Sequence, residues 1–164
     1  MIEWVERQGS ELVVSRIVFP LVIVLTQDCE LTQDYGVRWS RTRKAKHHDK
    51  MLMSVLVSPI YNAEHVIAGE HLSDLKQTMR SIDRKSTEWK NIVNNQTPRY
   101  HYLHFPPSTN IPDAVIDFKH YFSVNVPELK SKKKKRFVAK IAPLYREDIA
   151  HRFASYLSRV ALPD

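Results

Sequence analysis

The sequence predicts an α+β fold, a small curled and mostly antiparallel sheet with helices packed on it. Three observations carry this. Two near-continuous apolar runs, 21–25 and 51–57, have the length and branching of strands. Leu72, Leu75, Met79 and Ile82 repeat at the 3-4-3 spacing of an amphipathic helix. Ile149, Phe153, Tyr156, Leu157 and Val160 form a second such stripe near the end of the chain. Short strands, a helical excursion, more strands and a closing helix are the order of an α+β domain rather than of alternating β and α units.

Taken in order, residues 11–17 alternate weakly and read as a first strand. Phe19-Pro20 breaks the chain before a strand over 21–26, whose unbroken apolar character predicts burial on both faces. Asp34-Tyr35-Gly36 reads as a turn, and the basic stretch 38–50 lacks an apolar period and reads as a long loop. The run 51–57 is the next strand, ended by Ser58-Pro59. Residues 64–95 are a helical insertion. It holds a helix over 72–82 with Lys76, Arg80 and Arg84 outward, then a short helix around Trp89, Ile92 and Val93 that stops near Asn94-Asn95. Residues 99–105 are rich in β-formers and stopped by Pro106-Pro107, 114–118 and 121–124 are further strand, and 136–141 is a last short strand reached through the lysine run. The closing helix, 143–160, has Pro143 in its first turn, with Glu147 and Asp148 toward the positive end of its dipole.

A chain of 164 residues fits one domain spanning 1–164, and 43% hydrophobic residues supply a core. Only Gly9, Gly36 and Gly69 are glycines, which excludes Gly-rich phosphate loops and dinucleotide fingerprints. No apolar run approaches the ~20 residues that span a bilayer, and the N-terminus lacks the profile of a signal peptide. A single cysteine cannot close an internal disulfide, which suits a reducing compartment. The expectation is a soluble cytoplasmic protein without membrane contacts.

The net charge of +7 is concentrated. Residues 38–50 and 130–136 hold 12 of the 25 lysines and arginines but 1 of the 18 acids, leaving the remainder at a formal −4. Clustering of this kind points to a polyanion such as RNA or DNA. The candidate contacts are Arg38, Arg41, Arg43, Lys44 and Lys46 in the first segment and Lys132, Lys133, Lys134, Lys135 and Arg136 in the second. Residues 99–105 interleave Arg99, His101 and His104 with Tyr100, Tyr102 and Phe105, aromatics that suit either base stacking or core packing.

The junction Thr26-Gln27-Asp28-Cys29-Glu30 ends the first apolar strand with a dense polar cluster. Kept extended, it places Asp28 and Glu30 on one face, where two carboxylates can hold Mg²⁺ or divide acid and base roles. Cys29 between those acids reads as a small buried residue, because flanking carboxylates disfavour its thiolate. The eight histidines assemble no ligand set, since His101 and His104 point to opposite faces of a strand and His47-His48 sit among cations. No metal and no cofactor are expected.

The string Val22-Ile23-Val24-Leu25-Thr26-Gln27-Asp28-Cys29-Glu30-Leu31 is similar to a group of bacterial proteins with an "SQDCD" string after a hydrophobic strand. The likeness extends to the closing Ala142-Pro143-Leu144-Tyr145-Arg146-Glu147, Arg152-Phe153-Ala154 and Arg159-Val160-Ala161-Leu162-Pro163. The order of elements also resembles the PemK/MazF-like toxins. Phe19-Pro20-Leu21-Val22-Ile23-Val24-Leu25-Thr26 parallels their "RPVLVLS" strand, Leu56-Val57-Ser58-Pro59 their "VVPVTS" strand, and Ala114-Val115-Ile116-Asp117 their "RTID"-like strand. Phe19 stands where that family has its catalytic arginine, whereas Ser58 matches the catalytic hydroxyl. The resemblance implies an SH3-like barrel and a metal-independent endoribonuclease in a bacterial toxin–antitoxin or phage-defence system. Gln27, Asp28, Glu30 and Ser58 are the catalytic candidates, with Arg38 or Arg41 supplying charge to the scissile phosphate. The alternative is a non-catalytic protein-interaction module of a multi-protein bacterial locus, whose basic loops meet a cognate acidic partner.

Overall fold

The computed structural model describes residues 2–39 and 48–159. It is α+β, with short antiparallel ladders and several helices. The chain divides into two compact units, Met1–Val22 with Pro59–Asp117, and Ile23–Ser58 with Phe118–Asp164. Among the described residues no helix is long and apolar enough to cross a membrane.

The first unit opens with a hairpin that the alternation of 11–17 half announced. Strand β1 (Ile2–Gln8) pairs with β2 (Glu11–Ile17) around Gly9-Ser10. Gly9 has φ +65°, which a two-residue loop with glycine at its first position requires. Later in this unit, residues 60–62 of β4 (Ser54–Asn62) pair with β6 (Ala114–Asp117), and β6 pairs with β5 (Tyr100–Leu103). The core holds Tyr61, Val66, Leu72, Ile82, Ile92 and Val115, with Phe19, Leu75, Met79 and Trp89 packed at its margin.

The helix expected over 72–82 is not formed, although its stripe is buried as expected. Helix α2 (Ala63–Ala68), capped by the Asn62 side chain, stops at Gly69 with φ +76°. The chain then doubles back: the Met79 N–H donates to the Gly69 carbonyl (2.9 Å) and the Ile82 N–H to the Ile67 carbonyl (2.8 Å). Those amides bond across to α2 instead of along a helix, and Lys76 at φ +57° interrupts the segment between them. A Cβ at Gly69 would collide with the Met79 carbonyl oxygen. Gly69→Ala therefore meets both a left-handed backbone and a backbone clash, and is expected to cost at least about 2 kcal/mol in denaturant unfolding. The expected short helix forms as α3 (Thr87–Val93), with the Ser86 side chain accepting the Trp89 N–H and Asn94 at its end.

Strand β3 (Val22–Val24), whose last two residues open the second unit, is three residues long and alternates exposed, buried, exposed, so it is not the doubly buried strand expected. It lies antiparallel to β4, and the Leu25 N–H donates to the Leu56 carbonyl (2.8 Å). Residues 54–57 of β4 pair with β7 (Phe122–Asn125). β4 does not end at Ser58-Pro59. It changes ladder partner there, from β7 to β6, and Pro59 occupies the step where no ladder N–H is needed. The ladder order is β3-β4-β6-β5 with β7 also on β4, and among the described residues the sheet does not close on itself.

Two further helices differ from expectation. The junction after β3 opens α1 (Asp28–Trp39), which absorbs the expected turn at Asp34-Tyr35-Gly36. Acids in its first turn and Arg38 in its last match the helix dipole. The lysine run lies in α4 (Val126–Arg136), begun by an Asn125 cap, Pro127 and Glu128. Residues 137–142 after it are irregular rather than a strand, and Phe137 and Val138 are exposed. The closing helix, α5 (Pro143–Leu157), buries Ile149 and Phe153, with the Phe153 ring 5.5 Å from Phe118 and 5.2 Å from Tyr121. Val160 lies outside the described residues.

Candidate nucleic-acid interface

The charge divides as the chain does. The second unit carries 17 of the 25 lysines and arginines and 8 of the 18 acids, a formal +9, and the first unit a formal −2. Within the second unit α4 is the densest source of that charge.

Val126 and Leu129 seat α4 in a core of Val55, Val57, Leu31, Trp39, Leu52, Phe122 and Val124. Lys130, next on the same face, lays its Nζ 3.7 Å from the Trp39 ring centre and 5.1 Å from that of Tyr35. A half-buried contact of this kind contributes about 0.5–1 kcal/mol and helps to fix the roll of the helix. Lys132, Lys133, Lys135 and Arg136 then lie exposed, and none makes an ion pair among the described residues. Cations suit the negative end of a helix dipole. Like charges at i,i+3 and i,i+4 repel by roughly 0.2–0.5 kcal/mol per pair, however, and a bound polyanion removes that repulsion.

Arg38 is occupied. Its Nε donates to Asp34 Oδ1 (2.7 Å), its Nη2 donates to the Leu52 carbonyl, and the same Asp34 oxygen accepts the Leu52 N–H (2.7 Å). Asp34 is 1% exposed, so this pair fastens the end of α1 to the chain entering β4. Arg41, Arg43, Lys44 and Lys46 lie outside the described residues.

The candidate catalytic residues do not form the extended acidic face foreseen. Helical geometry turns Asp28 and Glu30 about 200° apart around α1. The Thr26 hydroxyl accepts the Leu56 N–H (2.8 Å), and the Gln27 carbonyl accepts the first helical N–H from Leu31 (3.2 Å). Asp28 is ion-paired with Arg146, Oδ2 to Nη1 at 2.8 Å, and lies 3.6 Å from Lys140 Nζ, so it ties the start of α1 to the start of α5. Cys29 is exposed, not buried, with its thiol 3.6 Å from the Gln27 side-chain oxygen. Ser58 is 0% exposed within β4.

No protein-family model matches the chain, and no curated protein or solved structure matches it.

The first unit holds a different polar cluster, which the 99–105 pattern announced only as aromatic and basic. Arg99 grips Asp117 through Nε to Oδ1 (2.8 Å) and Nη2 to Oδ2 (2.5 Å), and Asp117 is 1% exposed. Burial, then the Asp117 charge, pushes the Tyr61 and Tyr100 hydroxyls above their usual pKa. A cavity of ≈ 250 Å³ lies beside them, lined in part by His71, Arg80, Glu88, Arg99 and Tyr100. Arg80 is held by both Glu88 oxygens (2.6 and 2.7 Å), so a ligand anion has to compete with that carboxylate. His101 is buried within β5, and His104, one residue past the end of that strand, is exposed.

At the other end of β5 the Tyr102 hydroxyl donates to Asp113 Oδ2 (2.7 Å), and His104 Nδ1 meets Oδ1 at 2.8 Å. The Tyr102 hydroxyl bond chiefly holds the Asp113 carboxyl below its ordinary pKa, and burial chiefly pushes Tyr102 up to about 12. A depressed carboxylate stabilises the fold above its unfolded pKa and loses that contribution as pH falls through the folded value. Tyr102→Phe is expected to return the Asp113 titration toward the ordinary carboxylate range, read by NMR, and to remove part of the stability lost between neutral and acid pH.

Proposed function

We propose that this protein binds RNA or DNA, chiefly through phosphate contacts from α4 and from the basic stretch 38–50. The observation that carries this reading is the exposed group Lys132, Lys133, Lys135 and Arg136, without ion pairs among the described residues, on a helix whose other face is fixed by core packing and by Lys130 on Trp39. A rigid row of cations is more than solubility needs, and tracks a phosphate backbone without reading bases. Tyr35, exposed beside Lys130, supplies a ring on which an unpaired base can stack. Tyr35, Trp39 and Lys130 were absent from the candidate contacts, and their signal is the i,i+4 spacing of the two rings once α1 is recognised. Anisotropy titration of labelled single-stranded RNA and duplex DNA against the full chain at low salt tests the reading, with saturable binding expected for both.

An endoribonuclease of PemK/MazF type, on an SH3-like sheet and in a toxin–antitoxin or phage-defence setting, is the more specific form of this proposal. Its support is the order of strands and the position of Gln27, Asp28 and Glu30 in the same +9 unit as α4. It requires Ser58 to become accessible. Expression of wild type beside Asp28→Ala and Ser58→Ala in a bacterial host, scored by growth and RNA integrity, separates cutting from binding. Growth arrest with fragmented RNA, relieved by a folded variant, supports cutting, whereas intact RNA leaves binding alone. Exposed Phe137, Val138, Leu144 and Tyr145 favour the alternative of a protein partner. Capture of a dedicated partner with no oligonucleotide binding would decide for it.

A further inference from the structure

We propose that the open edge of β1 pairs with the β1 of a second copy of this chain, antiparallel about a two-fold axis at Val5. Among the described residues β1 and β2 form a ladder of two strands only, with an edge on each side. Such a ribbon is marginal by itself, and free edges invite a further strand.

The register selects the partner. Gln8 opposite Glu11 closes a two-residue loop, which makes them a hydrogen-bonded pair, and the alternation of an antiparallel ladder turns residues 2, 4, 6 and 8 toward β2. Glu3, Val5 and Arg7 therefore direct their N–H and C=O groups to the open edge. A two-fold at Val5 sets Val5 opposite Val5 and Glu3 opposite Arg7 twice, so all three outward residues find hydrogen-bonding positions. In this register each charged position stands opposite one of opposite sign. Centring the axis one residue either way leaves an outward residue beyond the ladder and opposes Val5 to Glu3 or to Arg7. The edge of β2 has no such match, because centring on Val14 opposes Leu12 to Arg16.

The faces agree with the edges. Val5 lies opposite Val14 in the hairpin, and both are more than half exposed, at 58% and 53%. Pairing two copies aligns Val14, Val5, Val5 and Val14 as one apolar row across four strands, with Leu12, 71% exposed, flanking it on each side. The contact is isologous and closes at two copies. It is independent of the nucleic-acid reading, since it uses only the first unit.

Sedimentation equilibrium of the full chain tests this, with far-UV circular dichroism confirming that each variant is folded. Wild type is expected as a dimer. Val5→Lys, which opposes two ammonium groups at the axis on an already exposed position, is expected to give a folded monomer. Arg7→Glu opposes like charges twice and is expected to raise the dimer dissociation constant roughly tenfold or more. Glu3→Arg combined with Arg7→Glu restores opposite charges and is expected to recover the dimer. A wild type that stays monomeric to its solubility limit, a dimer that survives Val5→Lys unchanged, or a double variant no better than Arg7→Glu would overturn the proposal.

Discussion

Replacing Lys132, Lys133, Lys134 and Lys135 together with glutamine is expected to weaken oligonucleotide binding by roughly tenfold or more at low salt, with little dependence on sequence. Each lysine that neutralises a phosphate releases a counterion, so removing four flattens the dependence of log K on log salt by about 3 to 4. Glutamine is chosen because it keeps helix propensity close to that of lysine, whereas serine costs a few tenths of a kcal/mol per position. The seat of α4, Val126 and Leu129 in the core and Lys130 on Trp39, is untouched by these changes. Thermal stability is therefore expected to hold or rise slightly as like-charge repulsion is relieved. A binding loss accompanied by loss of helix would point to damage rather than to lost contacts.

Arg99→Met is expected to be the most damaging single substitution to the first unit, at about 3 kcal/mol or more in urea unfolding. Asp117 is 1% exposed and receives two parallel bonds from the guanidinium, so methionine removes both bonds and the guanidinium charge from a buried carboxylate. Arg99→Lys is expected to recover only part of this, because an ammonium cannot form the fork. Asp117→Asn together with Arg99→Met is expected to cost less than Arg99→Met alone, since it also removes the buried negative charge that the guanidinium offsets. Additive losses in that cycle would contradict the assignment of a coupled pair.

How much of this was legible in the sequence depends on whether a residue pattern reported burial or backbone path. Leu72, Leu75, Met79 and Ile82 reported burial correctly, and all four reach the core of their unit. The helix inferred from their spacing fails because Gly69 turns the chain back and the amides of Met79 and Ile82 bond to residues 69 and 67. Nothing in a hydrophobic period distinguishes a helix from a returning strap that buries the same side chains. The lysine run misled in the opposite way. Its Asn-Val-Pro-Glu start is a good helix opening, but the repulsive run behind it reads as loop until Trp39 is known to receive Lys130.

The candidate site shows the same division. That positive charge clusters in 130–136 was evident from composition, while its mounting on a rigid helix was not. Arg38 looked like one cation of a loop, yet it closes α1 because Asp34, four residues earlier, is buried beneath it. An i,i+4 acid–base pair is readable once a helix is recognised, and Gly36 in its midst argued against one. Asp28 likewise has its partners, Arg146 and Lys140, more than a hundred residues away, which no local pattern shows.

The salt dependence of binding by the unmodified chain tests the central claim most directly. Log K for a mixed-sequence oligonucleotide, single-stranded or duplex, is measured from about 50 to 200 mM salt. Engagement of α4 predicts a linear fall with a slope of about −3 or steeper, nearly the same for unrelated sequences. Absence of binding at the lowest salt, or binding indifferent to salt, would contradict it.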